Sequence, residues 1–555
     1  MAGLQTATMR KNIDTFQNEP FLNFGNPENK RQMKDALASI QKELGKTYPL
    51  IINGHHFYTE TDPLITSYNP GNKDEVVGYV HTTDIANAER AHHAAQLAFE
   101  KWKVVPADER AFYLTKAADI IRARKFEFAG WLIIESGKNW READADVAEA
   151  IDFLEYYARS MYDLASPHKL SSVNHNIDND VYTPFSPEAS ALTYIPLGVG
   201  VCLPPWNFPL AILVGMTAAA IVTGNTVVLK PSEKTSVIAY KFMEILEEIG
   251  LPPGVVNYIP GYGHEIGDYL VDHPQTRFIS FTGSKAVGLR IFERASKTQP
   301  GQKWMKRVVA EMGGKDGVVV DETADLDRAA RDIVVSAFGF QGQKCSAGSR
   351  AIIVESVYEE VKEKVLALTK ELRVGLPSDN YEIGPVCDDI AYERVLNYIE
   401  IGKQEGALLL GGHPVDGKKQ KHSGESEQEE VVKGYYIAPT VFEKIEPQHT
   451  LFQEEIFGPL LTLTKAEDWE EAINFFNQTE YGLTGAFHSS DEHRIQHAYH
   501  YMHCGNLYIN KKCTGALVGV HPFGGFNMSG TDSKAGGPDY LLHFTQAKSI
   551  ARLID

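Results

Sequence analysis

Cysteine is scarce in this sequence. Five cysteines in 555 residues (Cys202, Cys345, Cys387, Cys504 and Cys513) form no CxxC pair and no short-spaced Cys/His set. That spacing excludes a disulfide framework and gives no reason to expect a metal site. Long apolar runs are missing as well. The most apolar stretches, Tyr194–Leu203 and Leu210–Val222, are separated by Pro204, Pro205, Trp206 and Asn207, and neither reaches the ~20 residues needed to span a bilayer. Basic clusters are also lacking: 54 Lys and Arg stand against 73 Asp and Glu, a net charge of −19. Neutralising a phosphate backbone requires clustered cations, so nucleic acid is not an expected partner. The first residues carry Arg10 and Lys11 but no apolar core of secretory type. A reducing, cytoplasmic setting is expected, and the lack of acidic residues before Asp14 keeps a mitochondrial matrix address as the alternative.

What is present points to a folded α/β chain. Hydrophobic residues make up 43% and charged residues 23%, and Gly and Pro are scattered without a period, so disorder and fibrous repeats are excluded. At roughly 100–200 residues per domain the length suggests three or four structural units. Apolar residues recur at three- and four-residue spacing over Ile85–Trp102, Asp108–Ile121 and Ala143–Tyr157, which predicts amphipathic helices. From Thr193 the pattern alternates. Strands are expected at Thr193–Cys202, Thr226–Leu229, Val255–Ile259, Arg277–Phe281 and Lys306–Ala310, with helices at Ala211–Thr223, Val237–Ile249, Ile266–Val271 and Val287–Ala295 between them. Short buried strands separated by helices imply a doubly wound parallel sheet. A second alternation, with helices near Leu326–Gln341, Val357–Leu372 and Ala391–Glu405 and a strand at Arg350–Val354, predicts a second α/β domain. The polar stretch from Gly411 to Gly434 reads as an exposed, mobile loop.

Several residues could carry chemistry. Cys345 lies in FGFQGQKCSAGSR, where Gly342, Ser346, Ala347 and Gly348 would let a substrate approach the thiol. A nucleophilic cysteine needs such access, but a buried cysteine is more often a small core filler. Glu311 ends an apolar run before two glycines, where desolvation could lift a carboxylate toward neutrality for general-base work or where it could simply cap a turn. Asn207 lies between prolines and could present its amide to an oxyanion, or serve as a turn residue. Gly261, Gly263 and Gly267 follow a strand, but their GxGxxxG spacing fails the dinucleotide fingerprint. At Gly283 and Ser284 a strand gives way to a helix whose first N–H groups could face a phosphate.

In chain order, PWNF at 205–208, VVLKPSE at 227–233, FTGS at 281–284, EMGGK at 311–315, GQKCSA at 342–347, EEIFGP at 454–459 and PFGG at 522–525 form a set that resembles the aldehyde dehydrogenase superfamily over roughly residues 45 to 550. Within it, TGALVGVHPFGGFNMSGTDSKAGGPDYLLHF at 514–544 resembles the branch that oxidises L-glutamate γ-semialdehyde, the open form of Δ1-pyrroline-5-carboxylate, to L-glutamate in proline catabolism. The resemblance implies two doubly wound α/β domains and a β-flap that pairs protomers. It divides the chain into an N-terminal extension (1–45), an NAD-binding domain (46–180 and 192–310), a catalytic domain (311–504), and a flap at 181–191 joined with residues 505–555, whose strand Ser549–Leu553 completes it. A homo-oligomer, at least a dimer, is therefore expected.

It also implies roles. Cys345 corresponds to the nucleophile, Glu311 to the general base and Asn207 to an oxyanion donor. Lys230 and Glu233 would meet the adenosine ribose, Gly283 and Ser284 the pyrophosphate, and Glu455 and Phe457 the nicotinamide ribose and ring. An acid at the ribose hydroxyls favours NAD over its 2′-phosphorylated form. Ser346, Gly515 and Ala516 would hold the substrate carboxylate, Phe208 and Phe523 its aliphatic chain, and Glu149 its ammonium. His521 stands where a glutamine is expected, and the 411–434 loop is longer than usual. The competing expectations are an aldehyde dehydrogenase for another carboxylated semialdehyde, such as that of succinate, a CoA-acylating variant, and a scaffold without activity.

Overall fold

The computed structural model describes residues 15–59, 64–166, 168–169, 188–419 and 431–553. Two seven-stranded sheets organise the chain. In the first, Arg307–Glu311, Phe278–Thr282, Val199–Leu203, Thr226–Leu229 and Val256–Tyr258 run parallel in that order, and the hairpin Leu50–Ile52/His55–Phe57 adds an antiparallel edge. All five residues of Phe278–Thr282 are buried, and so are all four of Thr226–Leu229. Parallel strands covered by helices on both faces need such unbroken apolar runs.

The second sheet orders Ala407–Leu410, Thr440–Glu443, Leu460–Ala466, Arg350–Val354, Gly317–Val320, Thr484–His488 and Asn506–Ile509, parallel except for the first pair. Asn506–Ile509 pairs within this sheet, so the second unit continues beyond Cys504, the boundary expected from the sequence.

The helices Ile85–Trp102, Ala107–Ala123, Trp140–Ala165 and Ala211–Val222 lie where periodicity predicts them, all but the third within a turn of the expected bounds. Trp140–Ala165 runs well past the expected Ala143–Tyr157, because its buried stripe carries on through Ala158 and Met161. The expected single strand Thr193–Cys202 is two strands, Glu188–Pro196 and Val199–Leu203. The break falls at Leu197 and Gly198, whose N–H groups both donate to Asn225 Oδ1, at 2.7 and 2.9 Å, and Gly198 takes φ +145°, a conformation open to glycine.

Glu188–Pro196 pairs antiparallel along its whole length with Thr545–Leu553. The strand partner expected at Ser549–Leu553 thus begins earlier, while residues 181–187 of the expected flap lie outside the described residues. Of the 411–434 segment, Gly417–Lys418 pairs with Val431–Val432, and residues 420–430 lie outside the described residues. The N-terminal part is packed in: Met33 and Ile40 of the helix Pro27–Ile40 join the core of the first unit. Among the described residues no helix is long and apolar enough to cross a membrane.

Candidate active site

Residues 312–316 connect Arg307–Glu311 of the first sheet to Gly317–Val320 of the second, and Glu311, Cys345 and Glu455 meet at this connection. A Cβ on Gly313 would overlap the Glu455 carboxylate, and one on Gly314 would overlap the carbonyl of Cys345. These two glycines let a carboxylate and the cysteine backbone close onto the connection, which explains the bare EMGGK motif in terms of space.

Cys345 follows an unusual turn. The helix Leu326–Phe338 is followed by Phe340, Gln341 and Gly342, all left-handed at φ 50°, 55° and 68°. Non-glycine residues hold that conformation only when surrounding contacts enforce it. Gln341 is buried and donates to Gly137 O at 3.2 Å and Pro385 O at 2.8 Å. Gln343 accepts from Cys387 N–H at 2.9 Å through Oε1, and its carbonyl accepts from Asn207 Nδ2 at 3.0 Å. Lys344 is paired with Glu142 at 2.6 Å. The turn thus carries Asn207 directly onto the peptide preceding the cysteine by two residues.

Burial pushes the half-buried Cys345 thiol well above its ordinary range, and the carboxylates of Asp316, Glu455 and Glu311 add to the effect. The thiol is neutral at rest and needs a base. Glu311 is buried in a donor nest built by the PFGG segment and its continuation: Ser533 Oγ donates at 2.6 Å, Gly525 N–H at 3.2 Å and Ser533 N–H at 3.4 Å. Desolvation pushes its pKa up to about 7, against the pull of these donors. Glu455, which accepts from Gly314 N–H at 3.2 Å, is also raised by burial to about 7.

Three charged neighbours receive no role from the sequence, although Lys315 and Arg350 lie within the EMGGK and FGFQGQKCSAGSR motifs. Asp316 is buried with Oδ1 accepting from Thr484 N–H at 2.7 Å, and Lys315 is buried beside it with its pKa pushed down to about 7 by desolvation. Arg350 donates to Lys315 O at 2.8 Å while its guanidinium covers the rings of Phe452 and Phe476. The fold sets Asp316 close enough to act on the Cys345 thiol.

On the expected substrate side, Phe208 is half-buried over the ammonium of Lys138, which is 3.8 Å from the ring centroid and 4.7 Å from that of Phe340. Lys138 is fully buried and paired at 2.9 Å with Asp146. Asp146 in turn accepts from Ala211 N–H at 2.7 Å, four residues after Asn207. Glu142, Asp146 and Glu149 follow one another at three- to four-residue spacing on the helix Trp140–Ala165 and so share a face. Burial and the neighbouring Asp146 raise Glu149 to about 8.

The loop that bears Gly515 (φ +81°) and Ala516 is tied to the cysteine turn. Cys513 is buried, and its thiol donates to Ser346 O at 3.5 Å. His521, the departure from the expected glutamine, accepts from Leu517 N–H at 3.2 Å through Nδ1 and closes that loop. Phe523 bridges to Ala535 immediately before the glycines around Glu311.

The expected cofactor residues are distributed along the first sheet and its neighbours. Lys230 is buried after strand Thr226–Leu229, and its ammonium donates to Pro231 O at 3.1 Å. Glu233 opens the short helix Glu233–Thr235 within electrostatic reach of Lys230. Gly283 donates to Glu311 O at 3.0 Å, and the exposed Ser284 caps the helix Lys285–Ala295, accepting from Val287 N–H at 3.4 Å. Phe457 is left-handed at φ 58° and meets Trp206 edge to face at 5.5 Å. An ammonium with donors to spare beside a carboxylate suits a ribose diol, and an eleven-residue helix with exposed first-turn N–H groups suits a pyrophosphate. The residues fit a dinucleotide.

Comparison with known proteins gives a consistent result. The profile of the aldehyde dehydrogenase family matches residues 57–550. The chain is 53% identical over 542 residues to the 1-pyrroline-5-carboxylate dehydrogenase of Geobacillus thermodenitrificans, covering 98% of this chain and all of that one. It is 53% identical over 538 residues to the enzyme of the same name from Bacillus subtilis, covering 97% and 99%. Among solved structures, 1-pyrroline-5-carboxylate dehydrogenase from Thermus with bound NAD superposes with a TM-score of 0.89 at 46% identity, covering 98% of this chain and all of that one.

Proposed function

The chain belongs to the aldehyde dehydrogenase family, and on that premise we propose that it oxidises L-glutamate γ-semialdehyde to L-glutamate with NAD, as the second step of proline breakdown. When bound, NAD takes up the hydride that leaves the aldehyde carbon. The observation that carries the catalytic reading is Glu311, a carboxylate held near neutrality in a nest of three donors and acting electrostatically on a neutral thiol.

The cysteine sulfur attacks the aldehyde carbon once Glu311 has taken the thiol proton, and the carbonyl oxygen becomes an oxyanion. Asn207 spends one amide hydrogen on Gln343 O, and its second hydrogen, with the Cys345 N–H, receives the oxyanion. Loss of hydride from the same carbon collapses the thiohemiacetal to a thioester. Glu311 passes the thiol proton to solvent and then takes one from the water that adds to the thioester carbon; the C–S bond breaks, the sulfur regains its proton and the carboxylate leaves with Cys345 restored. Lys138 beneath Phe208 and Asp146 on Ala211 N–H keep the Asn207 segment fixed through both additions.

Ser346, Gly515 and Ala516 receive the substrate carboxylate, Phe208 and Phe523 line its chain, and Glu149 meets its ammonium. Lys230, Glu233, Gly283, Ser284, Glu455 and Phe457 serve NAD. The flap Glu188–Pro196 with Thr545–Leu553 pairs protomers into a dimer or an assembly of dimers, since it presents strand edges outside both large sheets. We place the enzyme in the cytoplasm, where a free catalytic thiol stays reduced. The test is reduced-nicotinamide formation from Δ1-pyrroline-5-carboxylate, with succinate semialdehyde for comparison. The wild type should prefer the former, and Cys345→Ala should lower kcat by more than about 10³-fold. Turnover confined to succinate semialdehyde would overturn the amino-acid reading.

A further inference from the structure

The N-terminal segment before the helix Pro27–Ile40 reaches into the substrate-recognition region. Asn18 Nδ2 donates to Asp152 Oδ2 at 2.7 Å and to Val518 O at 2.9 Å, joining positions 134 and 500 residues away in the sequence. Asp152 belongs to the helix Trp140–Ala165, one turn beyond Glu149 on the same face. Val518 lies in the loop between Ala516 and Phe523, two residues from the former. One side chain thus touches both elements that carry the residues assigned to the amino-acid end of the substrate.

The contact is supported on either side. Asp152 Oδ1 accepts from Glu19 N–H at 2.7 Å, and Leu22 N–H donates to Asp144 Oδ2 at 2.7 Å on the same helix. Phe16 meets Tyr156 edge to face at 5.2 Å, and a Cβ on Gly519 would touch both rings. The segment is therefore wedged between helix and loop, with the Asn18 carboxamide donating to both. The recognition loop closes its own turn through Leu517 and His521, but the exposed glycines at 515 and 519, both at positive φ, leave its ends free to pivot. Val518 packs in the core with Phe153 and Tyr157 of the same helix, and the Asn18 carboxamide adds a direct polar brace between loop and helix.

We propose that Asn18 is a positioning residue for substrate recognition: its amide fixes the spacing between Glu149 and the Gly515–Ala516 amides, so that the ammonium and carboxylate of an amino-acid semialdehyde are gripped together. This rests on the assignment of the substrate given above. An aldehyde without those groups makes no use of the spacing.

The experiment compares wild type, Asn18→Asp and Asn18→Gln, each full length, with Δ1-pyrroline-5-carboxylate and with propionaldehyde. Asn18→Asp keeps the shape but removes both donors. It should raise KM for the amino-acid substrate on the order of tenfold with kcat within about twofold, and leave kcat/KM for propionaldehyde unchanged. Asn18→Gln retains the carboxamide and should recover most of the loss. Should Asn18→Asp not accumulate as folded protein, Asn18→Ser is judged by the same ratio of the two substrates. An unchanged KM, or a parallel loss on both aldehydes together with a lower Tm, would overturn the proposal by making Asn18 a packing residue only. A wild type that oxidises propionaldehyde but not Δ1-pyrroline-5-carboxylate would refute the substrate assignment and this proposal with it, a result visible before any variant is made.

Discussion

Replacing Ser533 by alanine isolates the electrostatics of Glu311. The Ser533 hydroxyl donates to Glu311 Oε1 at 2.6 Å, so it stabilises the ionised carboxylate and holds its pKa below what burial alone would set. A hydrogen bond to a charged group contributes about 1.5–3 kcal/mol, and one pKa unit corresponds to about 1.4 kcal/mol. The N–H groups of Gly525 and Ser533 remain in place, so the lower end of that range applies and the shift is about one unit upward. From a starting value of about 7, Glu311 would then titrate near 8. At pH 7 its ionised fraction falls from about a half to about a tenth, a roughly fivefold loss of base-dependent rate. The assay is the pH profile of kcat for reduced-nicotinamide formation. The acidic limb should move up by about one unit in Ser533→Ala while the plateau above roughly pH 9 stays at the wild-type level. A limb that stays in place, moves down, or drops by the same factor at every pH would refute the nest as the setter of the base.

Glu149→Gln removes the carboxylate assigned to the substrate ammonium, and KM for the amino-acid semialdehyde should rise on the order of tenfold or more while that for succinate semialdehyde holds. Because burial raises Glu149 to about 8, it is largely neutral at pH 7. Wild-type KM for the amino-acid substrate should therefore fall as pH rises toward 8, and Glu149→Gln should abolish that dependence. Lys138→Met leaves Asp146 charged and unpaired in a fully buried site and should cost about 3–5 kcal/mol in denaturant unfolding. The double variant Lys138→Met/Asp146→Leu should recover part of it, though not the hydrogen bond from Ala211 N–H.

The parts of this molecule legible in its sequence are those written locally. Thr226–Leu229 and Arg350–Val354 read as buried strands because each is short, β-branched and bounded by polar or turn residues, and both appear with the bounds expected. The helix Ile85–Trp102 likewise begins where Asp84 supplies its cap, accepting from Asn87 N–H at 2.7 Å. The break at Gly198 was not legible, because it depends on Asn225, 27 residues away, capping two amides at once. Nor was the placement of residues 15–24. Their partners Asp144, Asp152 and Val518 lie more than a hundred residues off, and no periodicity in the segment announces them.

The site divides along the same line, with a consequence for how its chemistry is set. Cys345, Glu311 and Asn207 carry motifs, yet none of those motifs encodes a pKa. The thiol is held neutral by burial and by three carboxylates from two stretches of chain, Glu311 and Asp316 at the ends of the inter-sheet connection and Glu455 following the helix Thr450–Gln453. Glu311 and Glu455 are themselves lifted by burial to about 7. Three fully ionised carboxylates beside a thiolate would repel one another strongly, so the resting site retains protons instead. Lys315 and Arg350 offset part of this charge at Asp316, but burial outweighs them, and Lys344 and Lys138 are paired with Glu142 and Asp146. The thiolate is therefore costly to form until it is consumed by bonding to carbon, and proton removal and attack become one event. Such a cysteine resists adventitious oxidation at rest, because burial and the neighbouring carboxylates together keep it a thiol.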